Sequence, residues 1–186
     1  NELAVRLENY TESSRWYPGA GIYRNVHLVV TGKAHIPTWG TYLTTPVVKN
    51  KFAKVHLETL WEMPQGKNIT DYRIVTEIWS PVGKIVSTDE TPGDALEESK
   101  FVQDFVVYEP ALWSPDSPSL YKAVSKVYEG NKLQDEYTTR FGIRTIEVVP
   151  EKGFFLNGQL TKFQGVCNHH DLGPLGAAVN DAAIRR

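Results

Sequence analysis

Residues 51–62, KFAKVHLETLWE, combine β-branched and aromatic side chains with an alternation of period two. The odd-numbered positions of 55–59 carry Val, Leu and Thr, whereas the even-numbered positions of 56–60 carry His, Glu and Leu. Because successive side chains of a strand point to opposite faces, this pattern is typical of a strand with one buried and one wet face. The stretch therefore predicts a strand of an antiparallel sheet.

The same alternation recurs along most of the chain. Further strands are predicted at 2–8, 23–31, 35–44, 71–80, 84–88, 100–108, 120–129, 133–140 and 145–149. Turn sequences such as Pro81-Val82-Gly83 and Glu129-Gly130-Asn131 separate these segments, and no helical pattern lies between them. Short strands at this spacing predict an all-β fold, built as an antiparallel sandwich.

The predicted strands divide the chain into three segments. Residues 1–33 supply two strands and an aromatic loop, which is too little to bury a core. Residues 34–148 supply seven or eight strands, enough for one sandwich domain. Residues 149–186 supply the start of a hairpin, a buried strand near 163–167 and the start of a helix at 180–186. Both ends are therefore interpreted as parts of neighbouring domains.

The composition argues against several classes of protein. The chain has 20 basic and 22 acidic residues, and no basic stripe indicates a nucleic-acid partner. No apolar run approaches the roughly 20 residues of a membrane-spanning helix, and no signal peptide opens the chain. The single Cys167 excludes an internal disulfide. The compartment stays open between bacterial periplasmic or secreted and cytoplasmic.

Two aromatic loops are candidates for binding. Residues 15–24, RWYPGAGIYR, could form a platform on which a sugar ring stacks or a plug at a domain interface, and both interpretations stay open. Residues 112–121, LWSPDSPSLY, connect two predicted strands, and their prolines make the connection rigid. Trp113 and Tyr121 are predicted to fasten this second loop to the core. Trp61 and Trp79 are likewise predicted to lie in or beside the core.

Clusters of polar side chains are candidates for chemistry. Residues 167–171, CNHHD, offer several types of metal ligand, but a zinc site needs three or four convergent ligands and no other Cys or paired His occurs. No metal or cofactor is therefore predicted. The pairs Asp89-Glu90 and Glu97-Glu98 could act as a general acid and base, but their turn-rich surroundings favour a solvated loop. No phosphate-binding loop and no nucleophile elbow is found.

Four motifs occur in an order that matches a known family. They are WYPGAGIYRNV at 16–26, LWSPDSPSLY at 112–121, FGIRTIE at 141–147, and FLNG at 155–158 followed by GVCNH at 165–169. With these motifs, nearly the whole chain resembles glycoside hydrolase family 2, which includes β-galactosidases, β-glucuronidases and β-mannosidases. The resemblance implies the end of a jelly-roll, sugar-binding-type domain at 1–33, an immunoglobulin-like β-sandwich at 34–148 and the first strand of a (β/α)8 barrel at 149–186.

The resemblance also implies a function for the parent enzyme, which is retaining and acts on a carbohydrate substrate. Two glutamates on later barrel strands perform catalysis, so this chain holds no catalytic residue and is expected to be inert. The family's glycone-contacting histidine corresponds to His169, with Asn168 and Asp171 as further candidate substrate-binding residues. Many members carry Asn-Arg-His-Glu here, whereas this chain shifts the Asn by one position and has His170 in place of Glu. The run HDLG at 170–173 resembles the β-galactosidase-like branch.

Other interpretations stay open beside this one. A non-enzymatic carbohydrate-binding or adhesive module, or a bacterial structural immunoglobulin-like domain, would also be a β-sandwich. Neither has a use for a segment that enters a barrel, so residues 156–186 favour the glycosidase. A homo-oligomer is compatible with the sequence. Because the barrel neighbours are missing, an exposed apolar surface is expected at Phe154, Phe155, Leu160, Phe163 and Val166.

Overall fold

The computed structural model describes residues 2–8, 10, 12, 26–96, 100–166 and 181–185. The chain divides into two compact units, one of residues 30–163 and the other of residues 1–29 and 164–186. All strands within the described residues belong to the first unit. The described part of the second unit contains one short helix, α1 (Asp181–Ile184). No helix among the described residues is long and apolar enough to cross a membrane.

A β-sandwich occupies most of the first unit. Its strands are β1 (Thr41–Val48), β2 (Phe52–Leu60), β3 (Tyr72–Trp79), β4 (Ile85–Pro92), β5 (Lys100–Tyr108), β6 (Tyr121–Glu129) and β7 (Lys132–Phe141). One sheet has the order β1-β2-β5 and the other the order β4-β3-β6-β7, and every pairing is antiparallel. This division of strands confirms the predicted all-β, immunoglobulin-like sandwich.

The strand alternation sets the register of the central ladders. β2 and β5 pair without interruption from Phe52 opposite Tyr108 to Leu60 opposite Lys100. Every second residue of both strands is buried, so a slip of one residue would expose the whole apolar set. β1 differs, because its register shifts between Thr44 and Val47. Pro46 lies within this irregularity. Proline has no backbone N–H to donate, and an edge strand tolerates this loss because one of its sides has no partner strand.

The sandwich buries two apolar clusters between its sheets. The larger cluster contains Ala53, Val55, Leu57, Ile78, Phe105, Val107, Tyr121, Ala123, Phe141 and Ile143. The smaller contains Ala34, Ile36, Tyr72, Ile74, Phe101 and Val127, with Trp61, Leu96 and Tyr137 packed against it. The Trp61 ring lies 5.0 Å from the ring of Tyr72 and 5.5 Å from that of Phe101. Trp61 and Trp113 are half-buried beside the core, as predicted. Trp79 is also half-buried, but it lies on the outer face of β3, whose core-facing positions are 72, 74, 76 and 78, so the prediction that it lies in or beside the core is wrong.

A chain of buried polar side chains crosses between the two sheets. Thr76 Oγ1 on β3 lies 2.7 Å from Gln103 Oε1 on β5 and 2.9 Å from Ser125 Oγ on β6. Gln103 Nε2 donates to Asp89 Oδ2 on β4 at 2.9 Å. These hydrogen bonds satisfy groups that would otherwise be costly to bury, so the network specifies how the sheets align.

The observed strands differ from the predicted ones at both ends of the chain. Residues 2–8 and 26–31 form no strand, and 35–40 contribute only an isolated bridge between His35 and Glu62. β1 starts at Thr41 because a turn precedes it, in which Trp39 has a left-handed φ of 65°. Residues 161–166, which include the described part of the expected barrel strand, also form no strand. A strand requires a continuous ladder of hydrogen bonds to a neighbour, and within the described residues these segments show only isolated ones, such as His35 N–H to Glu62 O and Thr161 N–H to Phe154 O.

A small three-stranded sheet follows the sandwich, in the order β10-β9-β8. Its strands are β8 (Ile146–Val149), β9 (Gly153–Leu156) and β10 (Gln159–Leu160), so the expected hairpin is present. We call residues 146–160 the hairpin. The rings of Phe154 and Phe163 lie 4.6 Å apart. Leu160, Phe163 and Val166 are exposed as predicted, whereas Phe154 and Phe155 are half-buried.

Candidate functional site

The residues predicted to contact a sugar lie outside the described part of the chain. Asn168, His169 and Asp171 fall within 167–180, which the structure does not describe. Residues 15–24 of the first aromatic loop, and the acidic residues 97 and 98, also lie outside the described residues. Their roles therefore stay predictions, and the described residues define the site only up to residue 166.

Asn157 ties the hairpin to the sandwich by three hydrogen bonds. Its backbone N–H donates to the carbonyl oxygen of Thr145 at 3.0 Å, and its Oδ1 accepts from the backbone N–H of Thr145 at 3.0 Å. Its Nδ2 donates to the carbonyl oxygen of Trp113 at 3.0 Å. Asn157 has a left-handed φ of 52°, which Asn adopts more readily than most residues. The motif FLNG therefore joins the hairpin to the segments at residues 113 and 145.

Trp113 is the other half of this junction. Its backbone N–H donates to Ile143 O at 2.8 Å, and the Arg144 guanidinium lies 5.0 Å from the centroid of its ring. A Cβ atom on Gly142 would lie 2.8 Å from the Cβ of Trp113, closer than real side chains allow. The motif FGIR thus supplies a glycine where Trp113 crosses the backbone and a cation that covers the indole. These contacts support the structural role predicted for the loop at 112–121.

The acidic pair at 89 and 90 has structural partners. Asp89 Oδ2 accepts hydrogen bonds from Gln103 Nε2 and Thr91 Oγ1, both at 2.9 Å. Glu90 forms an ion pair with Arg73 Nε at 3.0 Å. Neighbours on a strand point to opposite faces, so the two carboxylates cannot converge on one substrate atom. The predicted solvated loop is wrong, because both residues lie on β4, which β3 holds extended.

An ionic cluster that sequence reasoning missed lies on the outer face of β2 and β5. His56 Nδ1 lies 2.8 Å from Asp104 Oδ1, and Lys100 Nζ donates to Glu58 Oε2 at 2.7 Å. The hydrogen bond to Asp104 raises the pKa of His56 above its ordinary value, although partial burial opposes the shift. The Lys100 ammonium lowers the pKa of Glu58. The pairing register of β2 and β5 brings these residues together, and no local motif marks them. The cluster could therefore have been predicted only by assigning that register correctly.

None of these clusters has the composition of a metal centre. In the ranges that the structure describes, no group of three or more His, Cys, Asp or Glu side chains could hold a metal ion. The His56 cluster contains a lysine, and its carboxylates are engaged in ion pairs. What the described residues build at this end of the chain is therefore a set of hydrogen bonds that fixes residues 145 and 157 to residue 113.

Comparison with known proteins identifies this arrangement. The family model for glycosyl hydrolases family 2 matches residues 34–144, which include the entire seven-stranded sandwich. The beta-galactosidase BoGH2A of Bacteroides ovatus is 45% identical over 191 aligned residues, covering 100% of this chain and 22% of that protein. A putative beta-glucuronidase of Formosa agariphila is 35% identical, covering 100% of this chain and 17% of that protein.

Solved structures resemble this chain in both fold and sequence. A glycosyl hydrolase family 2 member from Bacteroides cellulosilyticus has a TM-score of 0.79 at 38% identity, covering 91% of this chain and 22% of that one. A beta-glycosidase from Bacteroides vulgatus has a TM-score of 0.77 at 35% identity, covering 90% and 21%. The chain thus spans about a fifth of the length of these relatives. On the family match over the sandwich, the chain belongs to the glycosyl hydrolases family 2.

Proposed function

We propose that the full-length protein is a retaining glycosidase that hydrolyses O-glycosidic bonds of β-galactosides. The observation that carries the proposal is the 45% identity to a beta-galactosidase over the whole of this chain. That identity includes the sandwich and both flanking segments, so it is not limited to a common immunoglobulin-like fold. A free-standing adhesive module would be expected to show similarity over the sandwich alone, without the flanking segments.

Each segment has a proposed place in the parent enzyme. Residues 1–33 are the end of a jelly-roll domain, 34–148 the sandwich domain and 149–186 the entry into the (β/α)8 barrel. The match of the family model to 34–144 supports the bounds of the second segment. The junction of Asn157, Trp113 and Arg144 supports the third, because it attaches the chain to the sandwich a few residues before the proposed first barrel strand.

The proposed chemistry needs residues that this chain does not supply. A retaining glycosidase places two carboxyl groups about 5–5.5 Å apart, one as acid/base and one as nucleophile. We place both on barrel strands that follow residue 186. His169 is proposed to contact the glycone, with Asn168 and Asp171 beside it at the end of the first barrel strand. Polar side chains at the C-terminal ends of barrel strands are where this fold performs its chemistry.

Turnover of nitrophenyl glycosides tests the proposal. The full-length protein should hydrolyse nitrophenyl β-D-galactoside, and the 186-residue chain should release no more nitrophenol than a heat-denatured sample. In the full-length protein, His169→Ala should lower kcat/KM with little change in the thermal midpoint. Turnover by the 186-residue chain would contradict the assignment of the carboxylates. Sugar binding without turnover by the full-length protein would favour a non-enzymatic carbohydrate-binding module.

A β-glucuronidase is the second candidate. The 35% identity to a putative beta-glucuronidase also extends over the whole chain. The same assay with nitrophenyl β-D-glucuronide discriminates the two. A kcat/KM that is higher for the glucuronide than for the galactoside would replace the first proposal with the second.

A further inference from the structure

A groove lies on the outer face of the four-stranded sheet, where β3, β6 and β7 run side by side. Its volume is about 540 Å³, within the range of small-molecule sites. Trp79, Pro81 and Leu120 form an apolar wall at one end. Val124 and Thr138, which are directly opposite each other on β6 and β7, also line it. The groove is therefore built on rigid strands over most of its length, with one wall of aromatic and apolar groups.

The orientation of Trp79 in this groove is fixed by hydrogen bonds. Trp79 Nε1 donates to Glu77 Oε2 at 3.1 Å, and Lys126 Nζ donates to the same oxygen at 3.1 Å. The hydrogen bond to Glu77 raises the pKa of Lys126. Glu77 and Lys126 thus neutralise each other and hold the indole in place. A preset aromatic wall loses little conformational entropy when a ligand packs against it.

The other two cations of the groove have no such partner. Lys122 on β6 is directly opposite both Trp79 on β3 and Arg140 on β7. Within the described residues, neither Lys122 nor Arg140 forms an ion pair or a side-chain hydrogen bond. Like charges directly opposite each other destabilise a sheet. The remaining carboxylate of the groove, Glu136, is opposite Lys126, away from this pair.

We propose that this groove binds an acidic sugar residue. Its carboxylate lies between the Lys122 ammonium and the Arg140 guanidinium, where it relieves their repulsion and accepts charge-assisted hydrogen bonds. Its ring packs against Trp79, and its hydroxyls reach the Thr138 hydroxyl. A simple inorganic anion would need neither the aromatic wall nor a groove of this volume, whereas a hexuronate needs both. The site does not depend on the proposed hydrolysis, because all of its residues lie in the sandwich.

An NMR titration of the 186-residue chain tests this site. Sodium D-glucuronate, at constant ionic strength, should shift the Trp79 indole N–H and the amides of Lys122 and Thr138 in a saturable way. D-Glucose should bind at least about tenfold more weakly, because it lacks the charge that the two cations recognise. Sodium acetate, the anion without the ring, should be weaker by a similar factor. Equal shifts with acetate and glucuronate would show an adventitious anion only and would overturn the proposal.

Variants locate the binding. The double variant K122Q/R140Q removes two exposed charges and should weaken glucuronate binding at least about tenfold without unfolding the sandwich. The matched control K51Q/K54Q removes two exposed lysines, one just before β2 and one within it, in the other sheet, and should bind as the unchanged chain does. Trp79→Phe retains a ring but loses the bond to Glu77, and should weaken binding less than the double variant. Equal affinity of both double variants would overturn the proposal.

Discussion

The sandwich and the hairpin are both antiparallel sheets, but they are stabilised in different ways. The sandwich buries two apolar clusters, and Val55, Leu57 and Phe101 at their centres are completely inaccessible. In the hairpin, only Leu156 is buried, whereas Ile146 and Val148 are 57% and 72% exposed. The hairpin is fixed instead by the hydrogen bonds of Asn157 to Thr145 and Trp113.

The two regions differ in what buries the apolar face of each sheet. The two sheets of the sandwich face each other, so the apolar positions of both are covered within one domain. The small three-stranded sheet has no second sheet packed on it among the described residues, and the apolar side chains of β8 lie in solvent. Its polar attachment sets a direction for the following chain but contributes less free energy than a core. The sandwich should therefore fold by itself, with the hairpin as a less stable attachment.

The largest expected effect compares one residue type in the sandwich and in the segment that directly follows the hairpin. Phe105→Ala, at a position that is 2% exposed in the sandwich, should lower the free energy of unfolding by about 3–5 kcal/mol. Phe163→Ala, at a position that is 78% exposed, should change it by less than about 0.5 kcal/mol. Urea denaturation followed by tryptophan fluorescence measures both. Equal losses would mean that Phe163 belongs to the same core as the sandwich.

A smaller effect should be confined to the hairpin. Asn157→Ala removes the side-chain bonds to Thr145 and Trp113, at a cost of about 1–3 kcal/mol. Native-state hydrogen exchange should accelerate at 153–160 and stay unchanged in the β2–β5 ladder. Asn157→Asp keeps the acceptor for Thr145 but loses the donor to Trp113, so its exchange should be intermediate. Equal acceleration in both regions would contradict the view that the hairpin is a separate attachment.

The smallest expected effect is a pH dependence on the outer face of the sandwich. Because the folded-state pKa of His56 is raised, chiefly by its hydrogen bond to Asp104, its contribution is fully present below the unfolded pKa and is lost as pH rises through the folded pKa. His56→Gln should therefore destabilise the chain more at pH 5.5 than at pH 8.5. An exposed pair of this kind is worth about 0.2–1 kcal/mol. Asn131→Gln, in the β6–β7 turn, serves as the control, and an equal effect of His56→Gln at both pH values would refute the assignment.

Alternation alone predicted β5 and β6 closely, because one face of each strand is buried against the core and the other is not. β5 was predicted at 100–108 and is observed at Lys100–Tyr108, and β6 was predicted at 120–129 and is observed at Tyr121–Glu129. β4 extends to Pro92, beyond its predicted end at 88, although its last residues are polar. An edge strand needs only one partner, and β3 holds these residues extended in spite of their composition.

The order of side chains along the chain carried the fold class and the family resemblance, because local alternation and short motifs are properties of neighbouring residues. Tertiary structure alone decided which distant residues meet. Asn157 reaches Trp113 across 44 positions, and Lys122 faces Arg140 only because β6 and β7 pair in one particular register. A sequence records charge and size at each position, but the distance between two such positions exists only once the sheets have aligned.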